Sequence, residues 1–399
     1  MGNSQSPSSH RDPRFASSSR AFSHTELEAL KSLHASLAAQ SQSKGPYVSP
    51  SVFKNYFGLH GPLGDRMFDL VTQQRKDQNL TFEDLVIAKG IYEKGTKDEI
   101  EEFIYQLLDV YGDGIVGSAH HETVNIFLNA AKFAKQDEGH AEESLSFEDF
   151  RTWCTLLPSV RKFLGSLLIP PNLGRPGSQV PRLLHLENID PNMILLKKVY
   201  AWHIGGILPQ HDLEEWKLLY HSSVNGQSFS TFLGNVSKDK GQTVLIIKDK
   251  EGYVYGGYAS QPWERHGDFY GDLKSFLFQL YPTASIFRPT GANTNLQWCA
   301  VNFSSASIPN GIGFGGKVNH LGLFLSATLD QGHTFSCTTF GSPCLSKTNQ
   351  IYPEVIEGWG VVTKVPDERK HDGGKGTVLE RFKEDRHMLN MVGLANASE

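Results

Sequence analysis

Between residues 25 and 157 apolar positions return every three or four residues, the spacing of helices that bury one face. The stretch HTELEALKSLHASLA, for instance, sets Leu27, Leu30, Leu33 and Leu37 along one side. After residue 186 the pattern changes to short apolar runs separated by glycines: TVLIIK, YVYGGYAS, SFLFQL, QWCAVNF, HLGLFLSATL, HTFSC and VIEGWGVVTKV. These read as strands. Two helices are expected ahead of them, LEEWKLLYHS with Leu213, Trp216 and Leu219/Tyr220 on one face, and SFSTFLGNV with Ser228 as its cap. Residues 158–185 are rich in proline and glycine and read as a linker, and the Ser-rich residues 1–24 read as a flexible arm. The predicted class is α+β: an all-α domain over 25–157, then a β-sandwich with flanking helices over 186–366. A flexible segment and an amphipathic helix follow over 367–399, with Val378, Leu379, Phe382, Met388 and Leu389 on its apolar side.

The helical half carries a worn repeat. Four isolated β-like residues, Val48, Leu80, Val116 and Leu145, sit between helical stretches at separations of 32, 36 and 29 residues. That spacing suits paired helix-loop-helix units, and the third unit, FIYQLLDVYGDGIV, resembles an EF-hand. It offers Asp109 and Asp113 as the first and fifth loop residues and Gly114 at the sharp turn, but Tyr111 stands at the third position and His120 at the twelfth. Two carboxylates hold calcium poorly. The second and fourth loops keep only the exit phrases LTFEDL and LSFEDF, and the first loop has no acid. The region therefore reads as an EF-hand-like packing and interaction module, with a weak calcium site at Asp109 and Asp113 as the alternative.

Composition narrows the function classes. A formal net charge of -5 without a long basic run argues against nucleic acid as a partner. Cys154, Cys299, Cys337 and Cys344 contain no Cys-x-x-Cys pair, so reduced thiols are expected rather than a zinc ribbon or a disulfide framework. No apolar run reaches the ~20 residues of a membrane span. The opening MGNSQS places Gly2 and Ser6 as the myristoylation pattern requires. A single acyl chain gives marginal, reversible membrane attachment, so the expected location is cytoplasmic and reversibly membrane-associated, with the nucleus left open.

Candidate chemistry is sparse. GIGFGGKV nearly matches a phosphate-binding loop but has Val318 where the hydroxyl belongs, and it runs into the strand-like HLGLFL. Gly311, Gly313 and Gly316 are read as opening a tight loop across one end of the sandwich. No G-x-S-x-G elbow is present, and His320 with Cys337 is a pair only if the fold joins them. Glu357, two residues before Trp359 in an apolar strand, must be satisfied by partners if it is buried, which favours a structural role over a functional surface.

The succession LPQHDLEEWKLLYHSSVNGQSFSTFL, GQTVLIIKDKEGYVYGGYAS, FYGDLKSFLFQLYP, TGANTN, SIPNGIGFGGKVNHLGLFL, TFGSPCLS and VIEGWGVV looks like a TLDc domain from end to end. Together with Gly2 and the EF-hand-like region, it is similar to the myristoylated, lysosomal branch of that family. The resemblance implies a non-enzymatic protein-binding regulator linked to oxidative-stress protection. It also implies binding to the peripheral sector of the vacuolar-type proton ATPase, with the tail helix as a further contact and no cofactor beyond a doubtful calcium. The alternatives are a thiol-dependent antioxidant or hydrolytic enzyme, and a calcium-responsive signalling or nuclear adaptor.

Overall fold

The computed structural model describes residues 13–41, 45–73, 79–108, 126–127, 129–130, 146–173, 179–185, 189–238, 240–305 and 307–362. Helices His24–Gln40, Pro50–Phe57, Gly61–Val71, Phe82–Tyr92, Lys97–Leu108 and Phe147–Leu156 pack their apolar faces around Phe53, Phe57, Phe68, Leu85, Ile104 and Trp153. Val48 and Leu80 exchange backbone hydrogen bonds of 3.0 and 3.2 Å. This two-residue bridge ties the first two loops together, as the repeat predicts for paired helix-loop-helix units. Val116 and Leu145, with Asp109 and Asp113 of the third loop, lie outside the described residues.

The phrases LTFEDL and LSFEDF serve as helix starts. Thr81 caps Phe82–Tyr92 and Ser146 caps Phe147–Leu156, each in a capping box closed by the carboxylate three residues on, Asp84 or Asp149. Counting from Leu80 and Leu145 as the eighth loop residue, Asp84 and Asp149 occupy the twelfth, where a calcium loop places its closing carboxylate. Asp84 instead accepts from the N–H of Thr81 at 2.8 Å and from its hydroxyl at 2.6 Å.

Two expectations need correction. The arm read over 1–24 contains a helix, Pro13–Arg20, that lies on Phe82–Tyr92. Phe15 meets Phe82 edge-on, and any side chain at Gly90 would collide with Ser18. The serines are helix-compatible once a docking surface is supplied. The stretch 158–185, read as a linker, begins with the helix Pro158–Ser166 and ends in a strand, Arg182–Leu184. Pro158 opens its helix, where a missing N–H leaves no bond unmade.

The second half is a sandwich. One sheet has the order β1-β2-β12-β3-β4-β5-β6, from Arg182–Leu184, Glu215–His221, Pro353–Val362, Thr243–Asp249, Val254–Ala259, Phe276–Tyr281 and Ser285–Phe287. The other has the order β11-β10-β9-β8-β7, from Gln350–Ile351, Gly332–His333, His320–Ser326, Gly311–Lys317 and Gln297–Ala300. Leu245, Ile247, Tyr255 and Leu277 of the first sheet pack on Ile312, Phe314, Leu323 and Leu325 of the second. The opposite face of the first sheet is covered by Ile194, Ala201, Ile204 and Leu208, which bury Trp216, Val244, Ile246, Phe276 and Trp359.

Burial on both faces explains a further correction: LEEWKLLYHS is not a helix but strand β2. Its Trp216 and Leu218 face the helical layer, while Leu219 and Tyr220 face the sandwich core. A strand buried on both sides loses its polar-apolar alternation, so its apolar positions imitate helical spacing. The other expected helix is present as Phe229–Val236. Ser228 stands at its N-cap position without a side-chain cap bond, its hydroxyl lying 2.9 Å from that of Ser230.

Candidate functional site

Glu357 is completely buried in β12, beside its register partner His221 at the end of β2. Its carboxylate accepts from the backbone N–H of Leu195 at 2.5 Å, from that of Leu196 at 3.1 Å, and from Trp359 Nε1 at 2.8 Å. His221 Nδ1 accepts from the N–H of Ser223, so its proton sits on Nε2, which faces the Met193 carbonyl at 3.2 Å and Glu357 at 3.6 Å. Burial pushes the Glu357 carboxyl above its usual range, and the bonds from Leu195, Trp359 and Leu196 pull it back toward the ionised form. Every one of these neighbours donates, which suits a carboxylate that only accepts.

The outcome is a clasp that holds residues 193–196 against the sheet. Cavities of about 620 and 410 Å³ flank this clasped segment. Ile194, Leu196 and Lys197 line the first with Arg182 and His185, while Met193, Leu195 and Tyr200 line the second with His221 and Lys248. The buried pair thus acts as a positioning element for the surface between the two cavities.

The glycine run differs from its expected form. Gly311–Lys317 is strand β8, an internal strand of the five-stranded sheet between β7 and β9, not a loop at its end. Ile312 and Phe314 point into the core at period two, and Gly311 and Gly313 occupy the other face, where a Cβ would collide with the β9 carbonyls of Leu325 and Leu323. Gly316 takes a φ of 84°. Because β7 and β9 flank this strand, its amides are drawn into sheet pairing, and that of Gly316 donates to the Thr339 hydroxyl at 2.9 Å, so the run does not form a phosphate cradle.

Among the described residues the thiol hydrogen bonds run from Cys344 to backbone carbonyls and none joins a thiol to a base. Cys299 is buried, which pushes its pKa up to about 12, and burial raises Cys154 to about 12 as well. Burial also raises Cys344, whose thiol lies 3.4 Å from the Thr334 carbonyl and 3.3 Å from that of Ser346. Cys337 packs against Gly315 and Gly322. His320 instead tilts against Phe335, whose ring also meets His333. Among the described residues no hydrogen bond joins His320 to Cys337, and no group of three or more His, Cys, Asp and Glu side chains is arranged to hold a metal.

Sequence reasoning passed over Asp249. It is buried at the end of β3 and accepts from the N–H groups of Glu251 and Tyr253 at 3.0 Å, from Tyr255 at 3.0 Å and from Ser346. The signal was present in the turn Asp-Lys-Glu-Gly, where an aspartate commonly binds amides two residues on. Gly2, Leu379, Phe382, Met388 and Leu389 lie outside the described residues.

Comparison with known proteins identifies the second half. The TLDc domain family model matches residues 189–362. The chain is 32% identical over 290 residues to "MTOR-associated protein MEAK7" of Danio rerio, covering 71% of this chain and 62% of that protein. It is 34% identical over 208 residues to the Xenopus laevis protein of the same name, covering 51% of this chain and 44% of that one. It is 28% identical over 220 residues to "Oxidation resistance protein 1" of Mus musculus, covering 54% of this chain and 24% of that protein. In each comparison the chain spans less than two thirds of the relative's length. The comparison identifies residues 189–362, the sandwich with its covering helices, as a TLDc domain.

Proposed function

We propose that the chain is a non-enzymatic regulator that works by binding a large protein assembly through its TLDc domain, with the peripheral sector of the vacuolar-type proton ATPase as the partner. The observation that carries this reading is the TLDc match over 189–362. Support comes from thiols that burial holds protonated, since a thiol nucleophile needs its thiolate. The oxidative-stress link implied by the family, and by the name of the mouse relative, is carried as a consequence of that binding rather than of peroxide chemistry.

The EF-hand-like helices serve in this reading as a packing module, and a myristoyl group on Gly2 provides a reversible membrane tether at the lysosomal or vacuolar surface. The amphipathic side of the tail, Leu379, Phe382, Met388 and Leu389, is a second contact with the same assembly. A pull-down of the purified chain with the pump's peripheral sector tests the reading: capture that weakens on deletion of 367–399 supports it, and no capture with or without calcium refutes it.

A second partner is favoured by one observation. The similarity to the Danio rerio protein runs over 290 residues, well beyond the TLDc domain, and that protein's name associates it with mTOR. Association with an mTOR-containing complex is therefore the second reading. Probing the affinity-purified chain for both assemblies separates the two.

A further inference from the structure

Where the helical region meets the sandwich, a cavity of about 400 Å³ is lined by four cationic side chains: Lys97, Arg161, Lys162 and Arg288. They come from three parts of the fold. Lys97 opens the helix Lys97–Leu108, Arg161 and Lys162 lie on the helix Pro158–Ser166, and Arg288 follows β6 directly. The backbones are closely apposed here, since a Cβ on Gly206 would lie 2.5 Å from the Ser159 nitrogen. Among the described residues no acidic side chain lines the cavity.

The nearest compensation is Glu101, whose side chain is only 2% exposed. It sits 2.7 Å from Arg161 and 3.8 Å from Lys97, so it orients those two without screening the rest. Four cations against this one carboxylate leave an excess of three positive charges. Burial and then the Arg161 charge lower the proton affinity of Arg288, and burial and then Arg288 do the same to Lys162. Like charges held this close destabilise one another until an anion joins them. The first turn of Pro158–Ser166 has no side-chain cap and adds its positive dipole end to the same field.

We infer that this cavity binds a compact polyphosphate, the chemistry shared by a free inositol polyphosphate and the headgroup of a phosphoinositide. Guanidinium forks match phosphate oxygens in geometry as well as charge, and several cations around one cavity suit a ligand with several phosphates better than a single carboxylate. The volume falls within the range of small-molecule sites. A bound polyphosphate would join Arg161 and Lys162 to Arg288, and so fasten the helical region to the sheet.

The test uses the full, unmyristoylated chain. Calorimetry with inositol hexakisphosphate and with inorganic phosphate measures soluble binding. Sedimentation with phosphatidylcholine vesicles, with and without a phosphatidylinositol bisphosphate, measures lipid binding. The double substitution Lys162→Glu and Arg288→Glu should weaken hexakisphosphate binding by about tenfold or more, while Lys217→Glu with Lys317→Glu, on strands remote from the cavity, should leave it unchanged. Circular dichroism confirms that each variant folds. If the double charge reversal does not fold, Arg288→Gln takes its place, with a smaller loss expected.

Soluble binding together with bisphosphate-dependent sedimentation, both lost in the cavity variant, identifies a lipid headgroup as the source. Soluble binding without sedimentation identifies a free anion. No hexakisphosphate binding, or equal losses in cavity and control variants, overturns the inference whatever the vesicles do.

Discussion

Glu357 reaches across 162 positions of sequence to accept the backbone N–H of Leu195 at 2.5 Å. This bond, with those from Leu196 and Trp359, fastens the segment entering the TLDc domain to the strand that leaves it. Replacing the carboxylate by Ala strands three buried donors. The expected loss is about 3–5 kcal/mol of unfolding free energy, the usual cost of removing one member of a buried charged network. Glu357→Gln should lose less, about 1–3 kcal/mol, because one amide oxygen remains to accept. Urea denaturation measures both, and a loss under about 1 kcal/mol for the Ala variant would show that the segment is held by packing alone.

His203 should make stability fall on acidification. It is fully buried in the helix Lys198–Gly205, with Nδ1 3.1 Å from Ser159 Oγ and Phe127 edge-on to its ring. Burial drives its pKa from 6.5 down to about 3, against a weaker opposing pull from the Ser285 backbone. In the unfolded chain the imidazole protonates near its ordinary value, so between about pH 6.5 and 3 the unfolded state holds more protons. The contribution is complete above the unfolded value and is lost as pH falls toward the folded one, at up to about 1.4 kcal/mol per pH unit. Thermal melts from pH 7 to 5 should show this slope in the wild type and a shallower one in His203→Asn. Equal slopes in the two proteins would assign the acid sensitivity elsewhere.

The parts of the fold legible in the sequence are helices with one polar face and short apolar strands set off by turn residues. The repeat spacing singled out Val48 and Leu80, which the fold joins in a bridge, and strands β3, β4, β5, β7 and β9 coincide with apolar runs that read as strands. Strand β2 failed because Trp216 and Tyr220 are both buried, on opposite sides, which erases alternation. The glycines of β8 read as a loop because their close approach to the Leu323 and Leu325 carbonyls depends on a neighbouring strand that local pattern does not reveal. Glu357 was singled out as a buried carboxylate in need of partners. His221 and the Leu195 amide, its partners, come from distant positions that no local motif connects.

The two capping carboxylates give a prediction about calcium. Asp84 and Asp149 sit at the twelfth loop position yet bind the N-caps Thr81 and Ser146. Asp84→Ala and Asp149→Ala should each cost about 1 kcal/mol through the lost caps, by the same amount in calcium and in chelator. Chelator-dependent destabilisation would show instead that these carboxylates turn toward a metal. Differential scanning calorimetry in both buffers distinguishes the two outcomes.

Thiol chemistry provides the sharpest contrast with the enzymatic alternative. Cys154 and Cys299, with pKa values pushed up to about 12 by burial, carry almost no thiolate at neutral pH, and Cys337 is closed in by packing. Cys344 is the least buried of the four, and burial raises its pKa too. Native protein treated with iodoacetamide at neutral pH should therefore label slowly, at Cys344 first, with the other three modified only after unfolding. Mass spectrometry of the time course gives the order directly. Replacing Cys299, Cys337 and Cys344 together by Ser should then leave peroxide protection in cells unchanged wherever the variant folds. A thiol that labels within seconds in the folded protein, or protection that vanishes with the serines while the fold persists, would return catalysis to the account.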